Sequence, residues 1–236
     1  WVSMSECGQI IAIGGGGFGR NPHQPVIEKY IVKQSAAEKP NVCFIPTASA
    51  EDKSYIVNFY TAFTQLKCSP VHINLFQRTP NLRSIIAKQD IIYVGGGNTK
   101  SMLAVWKEWK LDQLLLKAYK RGAILCGVSA GAICWFEKGI TDSWASNLSV
   151  MDCLGILEGC CCPHYNGEVD RQPSVEKFLL NSKIDSCYAL DDGSAIHYKE
   201  GIIDKAVSFY KDAHAYQVSL KNDKIHHETI KEISLQ

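Results

Sequence analysis

The 236-residue chain lacks most of the features that would assign it to a class at sight. No apolar run approaches the roughly 18 residues a membrane-spanning helix requires. No excess of one charge exists either: Lys and Arg number 25 against 24 Asp and Glu, for a net charge of +1. Nucleic acid and anionic membrane surfaces both select a basic excess, so neither is expected as a partner. No basic-then-apolar segment opens the chain, and no Pro/Gly/Ser-rich linker, low-complexity tract or internal repeat divides it. A single domain over residues 1–236 is expected, long enough to bury its own core.

Cysteine, by contrast, is plentiful at 10. The thiols sit inside apolar runs, as Cys43 does in NVCFIP, Cys126 in AILCG and Cys187 in SCYAL, and Cys160, Cys161 and Cys162 are consecutive. Neighbours of that kind are poor disulfide partners. The pattern reads as buried, reduced thiols of a cytoplasmic protein.

Short apolar runs alternate with helical patterns along the first half. Strands are expected at Gln9–Ile13, Val42–Ile45, Val71–Leu75, Asp90–Val94 and Ala123–Cys126. Between them helices are expected after Pro25, from about Thr47 to Lys67, and from Thr99 to about Lys120. Continuously apolar short strands suit a mostly parallel sheet covered by helices on both faces, and the alternation predicts a doubly wound α/β fold. A further helix is expected from Ala130 to about Glu137. Beyond Gly139 come a helix near Ser174–Asn181 and short strands at Cys187–Leu190, Ala195–Tyr198, Ala206–Tyr210 and Ala215–Leu220, read as additions to the same sheet.

Gly127-Val128-Ser129-Ala130-Gly131 fits G-x-S-x-G between a predicted strand and a predicted helix. Such a turn forces the serine into a strained, exposed position, and the amide that follows it, on Ala130, points at a developing oxyanion. Gly95-Gly96-Gly97-Asn98-Thr99 ends the preceding strand and offers a second oxyanion amide, because carboxyl ends of neighbouring parallel strands lie side by side. Gly14–Gly19 contains a formal G-x-G-x-x-G. The second strand ends in Pro46-Thr47 and not in an acidic residue, so a wall of the cleft fits better than a dinucleotide site.

A serine nucleophile needs a base, and the base an orienting acid. Of the seven histidines, His164 is the candidate base, placed after an apolar run and Pro163 at a predicted strand end. The acid is open between the Asp191-Asp192-Gly193 turn and Asp142. A zinc site of Cys160, Cys162 and His164 is conceivable on one strand face, but no second ligand pair accompanies it.

Taken together, GGGNT (Gly95–Thr99), GVSAGA (Gly127–Ala132), PHY (Pro163–Tyr165) and DDGSA (Asp191–Ala195) resemble the peptidase E family, also called dipeptidase E or α-aspartyl dipeptidase, to which cyanophycinase is related. The resemblance implies a fold like that of class I glutamine amidotransferases. It also implies a serine peptidase acting on dipeptides with N-terminal Asp, without metal or cofactor. Carried over position by position, Ser129 is the nucleophile, His164 the base, and Gly97 and Ala130 the oxyanion amides. Asp192 stands where the family has a Glu, with Asp142 as the alternative acid. Arg171 falls where the family's carboxylate-binding Arg is expected, and Asn98 lies in the GGGNT motif as a further substrate-binding candidate. The partner expected is a small peptide substrate. Two other activities are compatible with the motifs: hydrolysis of cyanophycin-like or β-aspartyl amides, and non-catalytic binding of a small molecule.

Overall fold

The computed structural model describes residues 8–144 and 147–235. Its first half runs β1 (Gln9–Ile13), α1 (Val26–Lys33), β2 (Asn41–Ile45), α2 (Lys53–Phe63), β3 (Ser69–His72), α3 (Leu82–Ile86), β4 (Ile91–Val94), α4 (Thr99–Trp109), α5 (Leu111–Lys120), β5 (Ile124–Val128) and α6 (Ala130–Ile133). The second half adds β6 (Phe136–Thr141), β7 (Ser149–Asp152), β8 (Leu157–Cys162), α7 (Arg171–Leu180), β9 (Ser186–Leu190), β10 (Ser194–Lys199), β11 (Ile202–Ser208), β12 (Ala215–Lys221), β13 (Lys224–Thr229) and β14 (Glu232–Ser234).

The α/β architecture is the expected one, with a mostly parallel sheet flanked by helices. Its strand order is β3-β2-β4-β5-β1-β10-β11-β14, with β1 through β5 mutually parallel and β10 antiparallel to both its neighbours. Successive residues of one strand face opposite sides. Ile10, Cys43, Ile92 and Leu125 therefore join the core under α4 and α5, while Ile11, Val42, Ile91 and Cys126 join the core under α1 and α2. Both faces are buried, which is why these strands read as unbroken apolar runs.

Three expectations change. The later strands do not all extend that sheet. Only β10, β11 and β14 do, and a second sheet of order β7-β6-β8-β9-β12-β13 forms around its own core of Ile140, Cys160, Cys162, Val175, Cys187 and Val218. The helix after Ser129 is a single turn and not an eight-residue helix. Every residue from Ala130 to Phe136 is buried, leaving no polar face for a surface helix, and the chain straightens into β6, which holds Glu137. The segment after Pro46 makes a 3-10 turn at Thr47–Ser49. Left-handed Ala50 and Glu51 follow before α2 starts afresh, with Asp52 accepting from the Tyr55 amide at 2.7 Å.

The nine described cysteines are free thiols and eight are buried. Burial pushes Cys126, Cys134 and Cys161 well above the ordinary thiol range, which makes them inert packing groups.

The glycine-rich segment after β1 is fixed from two sides. Phe18 is fully buried, with ring centroids 5.2 Å from Phe44, 5.7 Å from Phe59 and 5.0 Å from Tyr93. The Phe18 amide donates to Glu28 Oε1 at 2.7 Å. Glu28 is itself wholly buried, and desolvation raises its carboxyl from 4.5 to about 7. A raised folded-state pKa favours the fold while the group is protonated, so this contribution is complete below about 4.5 and is lost as pH rises through about 7. Wild-type stability should fall by about 3 kcal/mol across that window through this group. In Glu28→Gln, urea-unfolding midpoints measured across the same window should lose most of that slope.

Candidate active site

The site forms where the carboxyl ends of both sheets meet. Parallel strands β1, β5 and β4 are adjacent, so the turns after them lie side by side: Gly14-Gly15, Ser129 and Gly95–Gly97. In the second sheet β8 and β9 are adjacent and parallel, so the residues following them, His164 and Asp192, come together as well. A backbone bridge between Gly15 and Asp192, with the His164 amide donating to the Gly14 carbonyl at 3.3 Å, joins the two sheets at this point.

Ser129 takes φ 57° and ψ −113°, a strained conformation imposed by the turn from β5 into α6. The turn is so tight that a Cβ on Gly131 would stand 2.1 Å from the Val94 carbonyl oxygen. Ser129 Oγ lies 2.8 Å from His164 Nε2, and His164 Nδ1 lies 2.6 Å from Asp192 Oδ1. An ionised carboxylate only accepts, so Nδ1 carries the proton and Nε2 is left to accept from the serine hydroxyl. Asp192 is held in that ionised state: the His164 hydrogen bond, with help from Arg20, takes its carboxyl down to about 2 despite partial burial.

Three residues surround that chain of contacts, and only one of them, Gly15, falls in a motif. Arg20 donates from Nη1 to Asp192 Oδ2 at 2.6 Å, and Asn166 Oδ1 accepts from the Asp192 amide at 2.9 Å. Gly15 is the third, because a Cβ there would fall 1.8 Å from Asp192 Oδ1 and 2.8 Å from His164 Nδ1. The glycine-rich segment, expected as a wall of the cleft, instead backs the His164–Asp192 pair, and none of its residues lines the cleft. Asp191, the neighbour of Asp192, turns away and accepts from the His214 amide at 3.0 Å.

Gly97 has φ +136°, and a Cβ there would meet the Ala48 carbonyl oxygen at 2.1 Å, so only glycine fits. Gly97 lines the cleft with Ser129, and Ala130 is the first residue of α6. Neither amide donates to another group among the described residues. The cleft measures about 340 Å³ and is completed by Asn98, Asp142, Ser143, His164, Glu168 and Arg171.

The remaining candidates fall on the cleft wall with their polar atoms already engaged to different degrees. Asn98 caps α4, its Oδ1 accepting from the Ser101 amide at 2.8 Å while Nδ2 donates to the Ser143 carbonyl at 2.7 Å. Arg171 is 4% exposed at the side chain, donating from Nε to Glu168 Oε2 at 2.6 Å and from Nη1 to the Ile140 carbonyl at 3.0 Å. Asp142 is exposed on the wall, while the carboxylate that meets His164 belongs to Asp192. Cys160 and Cys162 are buried in the second sheet's core, and the left-handed backbone of His164 (φ 55°) turns it out of the strand line toward Ser129. Among the described residues no group of three or more His, Cys, Asp or Glu side chains is placed to hold a metal ion.

The chain is similar to known proteins over most of its length. The model of peptidase family S51 matches residues 10–206. The uncharacterised peptidase YgaJ of Bacillus subtilis is 46% identical over 218 residues, covering 92% of this chain and 94% of its own. Peptidase E of Haemophilus influenzae is 28% identical over 173 residues, covering 68% and 78%. A solved peptidase from an acI-B1 Actinobacterium superposes with a TM-score of 0.67 at 18% identity, covering 96% of this chain and 95% of that one, a likeness of fold.

In Arg20→Met, Asp192 loses one of the two groups that stabilise its charge. Its carboxyl should titrate higher in a carbon NMR titration, yet stay below the ordinary value because the His164 contact persists.

Proposed function

The chain belongs to peptidase family S51 and is a peptidase, and from that premise we propose that it is a serine peptidase that cleaves short peptides through an acyl-enzyme. The observation that carries this reading is the unbroken hydrogen-bonded chain Ser129–His164–Asp192, which starts at a strained serine on the cleft wall. His164 Nε2 takes the Ser129 proton as Oγ attacks the scissile carbonyl carbon, and the charge on the carbonyl oxygen is met by the amides of Gly97 and Ala130. His164 returns the proton to the leaving amine as the C–N bond breaks. Water then attacks the ester, giving its proton to His164, and the serine recovers its hydroxyl as the acid product leaves. Asp192 keeps the imidazole in the required tautomer and stabilises its positive form.

The substrate class we propose is dipeptides with N-terminal Asp. Arg171 supports it: a guanidinium on the cleft wall, at the first turn of a helix, where the dipole disfavours a cation. Its guanidinium matches a carboxylate fork for fork. Glu168 occupies Nε of that guanidinium, so a substrate carboxylate competes with an internal one.

Four measurements test these roles. A fluorophosphonate probe should label Ser129 in the wild type, and Ser129→Ala should lose roughly 10³–10⁶-fold in turnover of Asp-X dipeptides. Near-normal activity in that variant would exclude the serine mechanism, and product analysis on α- and β-linked aspartyl peptides identifies the bond cleaved. Glu168→Gln should lower KM for Asp-X dipeptides several-fold with little change in kcat, because Arg171 then has no charged internal partner. A KM unchanged for Asp-X relative to Ala-X would remove Arg171 from substrate recognition.

A further inference from the structure

An N-terminal aspartyl residue carries two opposite charges: a side-chain carboxylate, which Arg171 complements, and an α-ammonium three bonds away, which Arg171 repels. An ammonium offers three donors and no acceptor, so a cleft that takes a free amino terminus beside a buried guanidinium needs an anion there. Most side-chain acceptors of the cleft are already engaged. Asn98 Oδ1 accepts from the Ser101 amide, and the Ser143 hydroxyl is shared between Thr141 Oγ1 at 2.7 Å and the Lys100 amide at 3.3 Å. Glu168 Oε2 accepts from Arg171 Nε at 2.6 Å. Asp142 differs: it lines the cleft, it is exposed, and its carboxylate has no hydrogen-bond or ion-pair partner among the described residues.

We infer that Asp142 is that anion, a specificity-determining residue that reads the free amino terminus of the substrate. The inference rests on the aspartyl-dipeptide reading above. With Asp192 on the imidazole, Asp142 has no part in the proton-transfer chain. Its position suits the ammonium. Arg171 Nη1 donates to the Ile140 carbonyl at 3.0 Å, which ties the guanidinium to β6, the strand that ends at Thr141, immediately before Asp142. The backbone around Asp142 is pinned as well: the Ser143 amide donates to Thr141 Oγ1 at 3.2 Å, and the Ser143 carbonyl accepts from Asn98 Nδ2 at 2.7 Å. A fixed backbone with an unengaged carboxylate is preorganised, since no internal bond has to break when the ligand arrives. An internal aspartyl residue has an uncharged amide in place of the ammonium, so Asp142 selects the first residue of a peptide.

Paired ligands isolate the ammonium. Succinyl-leucine is Asp-Leu with the ammonium replaced by hydrogen, and propionyl-leucine stands in the same relation to Ala-Leu. Binding is measured by calorimetry in Ser129→Ala, which removes turnover. Asp-Leu should bind about tenfold more tightly than succinyl-leucine, the gain expected of a charge-assisted hydrogen bond at an exposed carboxylate. With Asp142→Asn added, the two should bind within about twofold of each other, because only Asp-Leu loses affinity. With Glu168→Gln added instead, the gap should persist. A gap that survives Asp142→Asn, a gap that Glu168→Gln removes, or a loss of both ligands alike in Asp142→Asn would overturn the assignment. So would loss of fluorophosphonate labelling when Asp142→Asn is made alone, since Asp142 would then serve the nucleophile. Failure of the aspartyl reading appears separately, as Asp-Leu binding no more tightly than Ala-Leu. The Ala-Leu and propionyl-leucine pair then still shows whether Asp142 reads the ammonium.

Discussion

The site depends on a contact that only glycine permits. At Gly15 the first sheet's backbone passes so close to His164 and Asp192 of the second that a Cβ would overlap the Asp192 carboxylate. The contact is fastened on both sides, by the His164 amide on the Gly14 carbonyl and by the Gly193 amide on the Gly15 carbonyl at 2.9 Å. Ser129 belongs to one sheet while His164 and Asp192 belong to the other, so their mutual distances are set by how closely the two sheets approach. A side chain at this seam would part them, and a hydroxyl–imidazole contact of 2.8 Å has no tolerance for that.

Charge is organised around the same seam. Asp192 faces the His164 imidazole on one oxygen and a guanidinium on the other. Arg20 is 61% exposed, so the pair adds little to stability; its effect is to orient the carboxylate and keep it ionised. Arg171 is the opposite case. Its buried guanidinium requires compensation, which Glu168 and the Ile140 carbonyl provide, and removing either partner of such a pair leaves an uncompensated charge. One ion pair keeps Asp192 ionised; the other compensates a buried guanidinium on the cleft wall.

The first pair also shows how packing reaches the chemistry. Arg20 lies two residues from Phe18, whose ring is embedded among Phe44, Phe59 and Tyr93. The aromatic cluster and the Glu28 carboxylate position a segment that would otherwise be a loose run of glycines, and that segment brings Arg20 to Asp192. Helix α1, on the far side of the sheet from α4 and α5, thereby bears on the protonation of a residue it does not touch.

What could be read along the chain was whatever rests on neighbours in sequence. The parallel strands were visible because burial on both faces demands unbroken apolar runs. Ser129 was visible because a strand, a glycine-flanked turn and a helix start coincide within a few residues. His164 was marked by the apolar run and proline before it. Tertiary structure alone decided the rest. Whether Asp191, Asp192 or Asp142 faces the imidazole depends on a register between strands, and adjacent carboxylates look alike until the backbone turns one outward. Arg20 reaches Asp192 across 172 positions, a contact no local pattern encodes. The same limit explains the second sheet: a short apolar strand declares that it is buried, but its hydrogen-bonding partner is chosen by the packing of the whole chain.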